Sequence, residues 1–107
     1  MSFSLTGKSA LVTGSGRGIG RAIASQLAAA GARVVVNDID GNMARETASA
    51  IGENAHAVPG DLCDPAFPQQ LVDAALEHFG ALDIIVNNAG YTWDNVIQKT
   101  TDEQFQA

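Results

Sequence analysis

The stretch Thr13-Gly14-Ser15-Gly16-Arg17-Gly18-Ile19-Gly20 limits what this chain can fold into more than any other. An apolar run, Ala10-Leu11-Val12, leads into it, and a helix-patterned segment from Ile19 to Ala30 leads out. Glycine has no Cβ, so the backbone can turn sharply there and approach a ligand closely. The helix that follows offers unpaired N–H groups and the positive end of its dipole to the same spot. Strand, glycine turn and helix N-terminus together make an anion site suited to a phosphate or pyrophosphate.

The rest of the chain repeats the alternation of strand and helix. The first strand runs from about Ser9 to Thr13. The first helix carries Ile19, Ile23 and Leu27 at a spacing of four, with alanines on the same face, and Gly31 closes it. Arg33 to Asn37 contains Val34-Val35-Val36, a β-branched run without polar alternation. That pattern predicts a strand buried on both faces, as in parallel sheets. A weaker helix is expected from about Asn42 to Ile51, with Met43, Thr47 and Ala50 on one side. Ala55 to Val58 reads as a short third strand ending at Pro59-Gly60-Asp61. Asp64-Pro65 reads as a helix start, with aspartate as N-cap and proline at the first helical position. Phe67, Leu71, Ala74, Ala75 and Phe79 form its inner face and Gly80 ends it. Asp83 to Asn87 holds Ile84-Ile85-Val86, another strand expected to be doubly buried. After an irregular segment, Tyr91 to Lys99, the pair Thr100 and Glu103 has capping-box spacing and opens a further helix. Four strand–helix units predict an α/β fold with a doubly wound parallel sheet and right-handed crossovers.

Composition narrows the function classes. Of 107 residues, 46% are apolar and only 17% charged, which favours a globular chain. The net charge is −6 with no basic run, so nucleic acid is not expected as a partner. Cys63 is the only cysteine, cannot form an internal disulfide, and reads as a packed thiol. Residues 1–5 lack the basic and apolar regions of a signal peptide, and no apolar run approaches ~18 residues, so neither secretion nor a membrane span is expected. A cytoplasmic location is the default expectation. His56 and His78 have no metal-ligand partner at useful spacing, so no metal is expected.

In open α/β sheets ligands bind beyond the carboxyl ends of the strands. The four ends here are Thr13-Gly14, Asp38, Asp61-Leu62 and Asn87-Asn88-Ala89-Gly90. All carry polar or glycine residues, whereas the strand bodies do not. The common fingerprint G-x-G-x-x-G fails because Ile19 stands where a glycine is required. The pattern T-G-x-x-x-G-x-G fits through Thr13, Gly14, Gly18 and Gly20. A triphosphate loop would need Gly-Lys-Ser/Thr, and the only lysines are Lys8 and Lys99. Asp38 stands eighteen positions after Gly20, where a carboxylate accepts hydrogen bonds from an adenosine ribose. It would also repel a 2′-phosphate and so select NAD over NADP. Its alternative role is N-cap of the second helix, for which Asp40 competes. Arg17 pulls the other way, because a guanidinium can pair with a 2′-phosphate. Asp61 is either a turn residue or an acceptor for an adenine amino group. Asn87 and Asn88 are either turn formers or amides that tie neighbouring strands and meet a ribose.

In these residues the chain resembles the short-chain dehydrogenase/reductase family: Thr13-Gly14-x-x-x-Gly18-x-Gly20, Asp38, Asp61-Leu62 and Asn87-Asn88-Ala89-Gly90. Tyr91 to Gln98 adds a cue to its 3-oxoacyl-carrier-protein reductase branch. The resemblance implies a Rossmann-type sheet, with residues 1–107 as the cofactor-binding N-terminal part of one domain. It also implies a nicotinamide cofactor whose pyrophosphate meets Gly14, Gly16, Arg17, Gly18, Ile19 and Gly20. The adenosine would meet Asp38, Asp61 and Leu62, and the nicotinamide-side ribose Asn88, Ala89 and Gly90. The implied reaction is hydride transfer between that cofactor and a small alcohol or carbonyl substrate, by a protein that is a dimer or tetramer in its complete form. The family's catalytic serine, tyrosine and lysine have no counterparts here. Tyr91, the only tyrosine, is followed four residues later by Asn95. The chain alone is therefore expected to be inactive. A non-catalytic or partner-completed nucleotide-binding module is the alternative. A methyltransferase on the same fold ranks last, because Asn87 to Gly90 is not expected of it.

Overall fold

A computed structural model describes residues 4–89. Four strands, β1 (Ser9–Val12), β2 (Arg33–Val36), β3 (Ala55–Ala57) and β4 (Ile84–Val86), alternate with α1 (Gly18–Ala29), α2 (Gly41–Ile51) and α3 (Phe67–Phe79). The sheet is parallel throughout, in the order β3-β2-β1-β4. Strand order therefore reverses direction at β1, between β2 on one side and β4 on the other. Ligands of open α/β sheets bind at such a switch point.

The period of two along the strands divides the core into two layers. Ala10, Val12, Val34 and Val36 pack with Ala24 of α1 and with Ala44 and Ala48 of α2. Leu11 and Val35 face the other way, onto Phe67, Leu71, Val72 and Ala75 of α3. All six of these strand residues are fully buried, as the unbroken apolar run predicts for a sheet covered on both faces. The Rossmann-type doubly wound arrangement follows, with β1 and β2 central.

Several sequence expectations need correction. The Ile84-Ile85-Val86 strand is half-buried, because it is an edge strand among the described residues. Ile19 is exposed rather than inward-facing. The buried stripe of α1 is Gly20 and Ala24, whose small size lets the helix lie close to the sheet, with Ile23, Leu27 and Ala28 at its flanks. On α2 the inner face is Ala44, Thr47 and Ala48, and Ala50 is exposed. Helix α3 starts at Phe67, three residues after the expected N-cap Asp64, and Pro68 occupies its first turn. Asp61 and Asp64 instead close successive local turns, their carboxylates accepting from Cys63 N–H (2.8 Å) and Ala66 N–H (3.0 Å). Aspartates in this position compete with the helix for backbone donors. Cys63 lies in those turns and is exposed, not packed. The expected features of Tyr91 to Lys99 and the helix from Thr100 lie outside the described residues.

The two histidines meet. The His56 ring on β3 stacks on the His78 ring on α3, with centroids 3.8 Å apart and planes 8° from parallel. Burial, and then the neighbouring His78, hold the His56 imidazole below its ordinary value. The fold thus favours neutral His56, while the unfolded chain takes up its proton near pH 6.5. The stability linked to neutral His56 is fully present above about pH 6.5 and is lost as pH falls toward the depressed folded value. A melting temperature that declines between pH 7.5 and 5.5, and declines less in His56→Gln, is the expected result of a thermal-melt series.

Candidate functional site

The glycine turn divides its backbone donors cleanly. Thr13 N–H donates to Val86 O at 3.0 Å, and Ser15 N–H to Asn37 O at 2.6 Å. Gly14 N–H reaches the Asn37 side-chain oxygen at 3.4 Å, and Gly16 N–H the Asp38 carboxylate at 3.1 Å. Every N–H from residue 13 to residue 16 is thus engaged by a neighbouring strand end. The next four, from Arg17 to Gly20, have no acceptor among the described residues, and the first helical bond is Arg21 N–H to Arg17 O. These are the four orphan donors of an α-helix N-terminus. On α2 the equivalent donors are capped by Asp40, which accepts from Asn42 and Met43 N–H. On α1 no side chain caps, and no acidic residue stands in the first turn. The positive end of α1 is left open to an anion from outside.

Asp38 organises the adjacent wall. It is only 3% exposed. Besides Gly16 N–H, its carboxylate accepts from Asp40 N–H (3.0 Å) and from the Arg17 guanidinium (2.9 Å). Burial alone would raise its pKa, but the bonds from Arg17, Asp40 N–H and Gly16 N–H, with the guanidinium charge, outweigh that and hold it below the usual carboxylate range. Asp40, not Asp38, is the helix cap, so Asp38 is available at the strand end. The buried Asn37 accepts from Gly14 N–H, and its amide donates to Val58 O (3.0 Å) and Gly60 O (3.4 Å), linking the ends of β1, β2 and β3. On the other side, Asn88 donates to Gly14 O at 3.2 Å, and Thr13 Oγ1 accepts from Ala89 N–H at 3.0 Å and meets Asn87 Oδ1 at 3.2 Å. The two asparagines do tie β4 to β1.

Between these walls lies a cleft of about 250 Å³ lined by Gly14, Arg17, Asn37, Asp38, Ile39, Gly60, Asp61, Leu62, Asn88 and Ala89. Larger depressions elsewhere, between α1 and α2 and along the outer side of α1, are lined by helix surface residues. Neither gathers the ends of β1, β2 and β4 as this cleft does, so the smaller cleft is the candidate site for a polar ligand.

Residues 8–107 match the family model for short chain dehydrogenases. The chain belongs to the short-chain dehydrogenase/reductase family. It is 42% identical to the 3-oxoacyl-[acyl-carrier-protein] reductase FabG of Escherichia coli, over 92% of this chain and 41% of that protein. Among solved structures, the 3-ketoacyl-(acyl-carrier-protein) reductase of Brucella melitensis complexed with NADH superposes with a TM-score of 0.74 at 44% identity, covering 77% of this chain and 34% of the other. A 7α-hydroxysteroid dehydrogenase complexed with NADH and 7-oxo glycochenodeoxycholic acid gives a TM-score of 0.76 at 38% identity, over 80% of this chain and 35% of that one. The chain spans about two-fifths of the length of the curated relatives it matches.

Of the residues expected to form the site of this dehydrogenase-family chain, Gly14, Arg17, Asp38, Asp61, Leu62, Asn88 and Ala89 line the cleft. Gly16, Gly18 and Gly20 shape the turn beside it. The Ile19 side chain lines an apolar groove on α1 with Leu5, Ile23 and Leu27, while its N–H is one of the four open donors. Gly90 lies outside the described residues. Asp61 closes a local turn, as one of its two readings has it, and also lines the cleft. Asn37 and Ile39 were not anticipated. A polar residue ending a valine run was the available signal for Asn37. For Ile39 it was an isolated apolar residue in a polar loop; its side chain is 64% exposed.

Gly20 and Gly18 are glycines for different reasons. A Cβ on Gly20 would collide with Gly14 O and the Asn88 amide. Gly18 has open space around it but a φ of 59°, in the left-handed region. Gly18→Ala is therefore expected to cost about 1–2 kcal/mol, the ordinary penalty of a left-handed L-residue. Gly20→Ala is expected to cost about 3 kcal/mol or more and to separate Asn88 from the turn. Urea denaturation midpoints of the two variants would order them.

Proposed function

We propose that this chain is the cofactor-binding part of an NAD(P)-dependent short-chain oxidoreductase that moves a hydride between a nicotinamide cofactor and an alcohol or carbonyl substrate. Reduction of a 3-oxoacyl thioester is the favoured instance, in keeping with the reductases it resembles at 42–44% identity. The observation that carries the reading is the run of four N–H groups without an acceptor among the described residues, at the uncapped start of α1, set beside a buried carboxylate just beyond β2. A pyrophosphate satisfies the first and a ribose diol the second.

In this reading the nicotinamide ring supplies hydride acceptance and donation when bound. The chain's own residues bind and orient. The N–H groups of Arg17 to Gly20 hold the pyrophosphate, and Asp38 accepts from the adenosine ribose. Ile39 and Leu62 offer apolar surface to the adenine, with Asp61 at its edge. Asn88 and Ala89 line the cleft on the side proposed for the second ribose. No residue is assigned proton transfer, because Tyr91 lacks a lysine four positions on. The 107 residues are therefore expected to bind without turning over.

Cofactor choice rests on Asp38. Its charge, held ionised at neutral pH, disfavours a 2′-phosphate, and Arg17 is already paired to it at 2.9 Å. NAD is expected to bind about tenfold or more tightly than NADP, a difference of about 1.4 kcal/mol. Asp38→Asn, which keeps an acceptor for the turn and removes the charge, is expected to narrow that gap. Calorimetric titration of both cofactors tests this, alongside an assay for cofactor reduction with simple alcohols. NADP binding as tight as NAD to the unmodified chain contradicts the cofactor assignment. Measurable turnover contradicts the division of roles.

A further inference from the structure

Thr47 sits in the middle of α2, 1% exposed, and contributes nothing to the lining of the cleft. A hydroxyl buried against a sheet of alanine and valine needs a partner. Its partner is distant in sequence: Thr47 Oγ1 donates to Gly16 O at 2.9 Å. Gly16 is thereby gripped from both ends, since its N–H donates to Asp38 at 3.1 Å. The carbonyl of Gly16 and the N–H of Arg17 belong to one peptide unit. That unit is trans, as are all the described peptide bonds. In a trans peptide the C=O and N–H point in opposite directions. Fixing the Gly16 carbonyl toward α2 therefore turns Arg17 N–H away from α2. Arg17 N–H is the first of the four donors that have no acceptor among the described residues. Arg17 itself is extended, with φ −156° and ψ 166°, so no helical bond competes for that orientation.

We infer that Thr47 is a positioning residue for the anion-binding turn: by holding Gly16 O it aims Arg17 N–H at the pyrophosphate of the bound dinucleotide. The inference rests on the dinucleotide reading of the cleft. It assigns α2, a helix that contributes no residue to the cleft lining, the task of setting one peptide plane in the site. Thr47→Val keeps the side chain's shape and removes the hydroxyl, leaving Gly16 O unpaired and its peptide free to rotate. Thr47→Ser keeps the hydroxyl.

Affinities for NAD and for adenosine, measured on the native chain and both variants, test the inference. Thr47→Val is expected to weaken NAD about tenfold, the equivalent of one lost hydrogen bond of ordinary strength, and to leave adenosine unchanged. Thr47→Ser is expected to match the native chain. A Thr47→Val variant that binds NAD like the native chain overturns the inference. So does one that weakens NAD and adenosine equally, because a general loosening of the fold acts on both. A native chain that binds no NAD overturns the functional reading instead. In that case, or if Thr47→Val does not fold, inorganic pyrophosphate titrated into the native chain decides the inference: a saturable shift of the Arg17 amide resonance supports it, and an unmoved one overturns it.

Discussion

Four consecutive peptide N–H groups, from Thr13 to Gly16, are tied to the ends of the neighbouring strands, and the rest of the site depends on that constraint. Strand ends supply the acceptors: Val86 of β4, and Asn37 and Asp38 just beyond β2. The turn cannot drift, because its backbone is bonded on both flanks, and Gly20 lets α1 close onto the Gly14 carbonyl with no side chain between them. The donors that follow have no acceptor among the described residues. An anion at this point would meet N–H groups already oriented by the fold.

Asp38 joins the electrostatics of the site to its architecture. A buried carboxylate is costly unless hydrogen-bonded and paired. Here two backbone N–H groups and the Arg17 guanidinium meet that need. Arg17 is the exposed member of the pair, at 55%, while the Asp38 side chain is 4% exposed. In the proposed reading the guanidinium is thus the partner that would give way to a ribose hydroxyl, with the two backbone bonds kept. The carboxylate that is proposed to recognise the ribose is also the one that holds the turn in place.

The valine run of β2, the alternation of strands with helices and the glycine turn were all legible in the sequence, because each is written in local pattern. The competition between Asp38 and Asp40 for the α2 cap could be posed from sequence. It was decided by position: Asp40 stands two and three residues before the N–H groups it caps. What local pattern could not show were partnerships across long separations. Ile19 keeps helical spacing with Ile23 but points outward, because Gly20 and Ala24 form the close approach to the sheet. Asp64-Pro65 has the composition of a helix start, yet aspartate-closed turns occupy that ground and the helix waits for Phe67, whose ring packs on Gly60. Asn37 and Thr47 looked like the end of a strand and the inner face of a helix. Their roles appear only once Gly14 and Gly16, twenty-three and thirty-one residues away, are brought beside them.

The central claim is the division of donors at Arg17. Amide hydrogen exchange at residue resolution, on the free chain and on the chain saturated with NAD, tests it most directly. Residues 13–16 are expected to be protected in both states, and residues 17–20 to exchange rapidly in the free chain and become protected when NAD binds. Unchanged exchange at 17–20 in the presence of saturating NAD, or protection gained at 13–16 instead, would contradict the account.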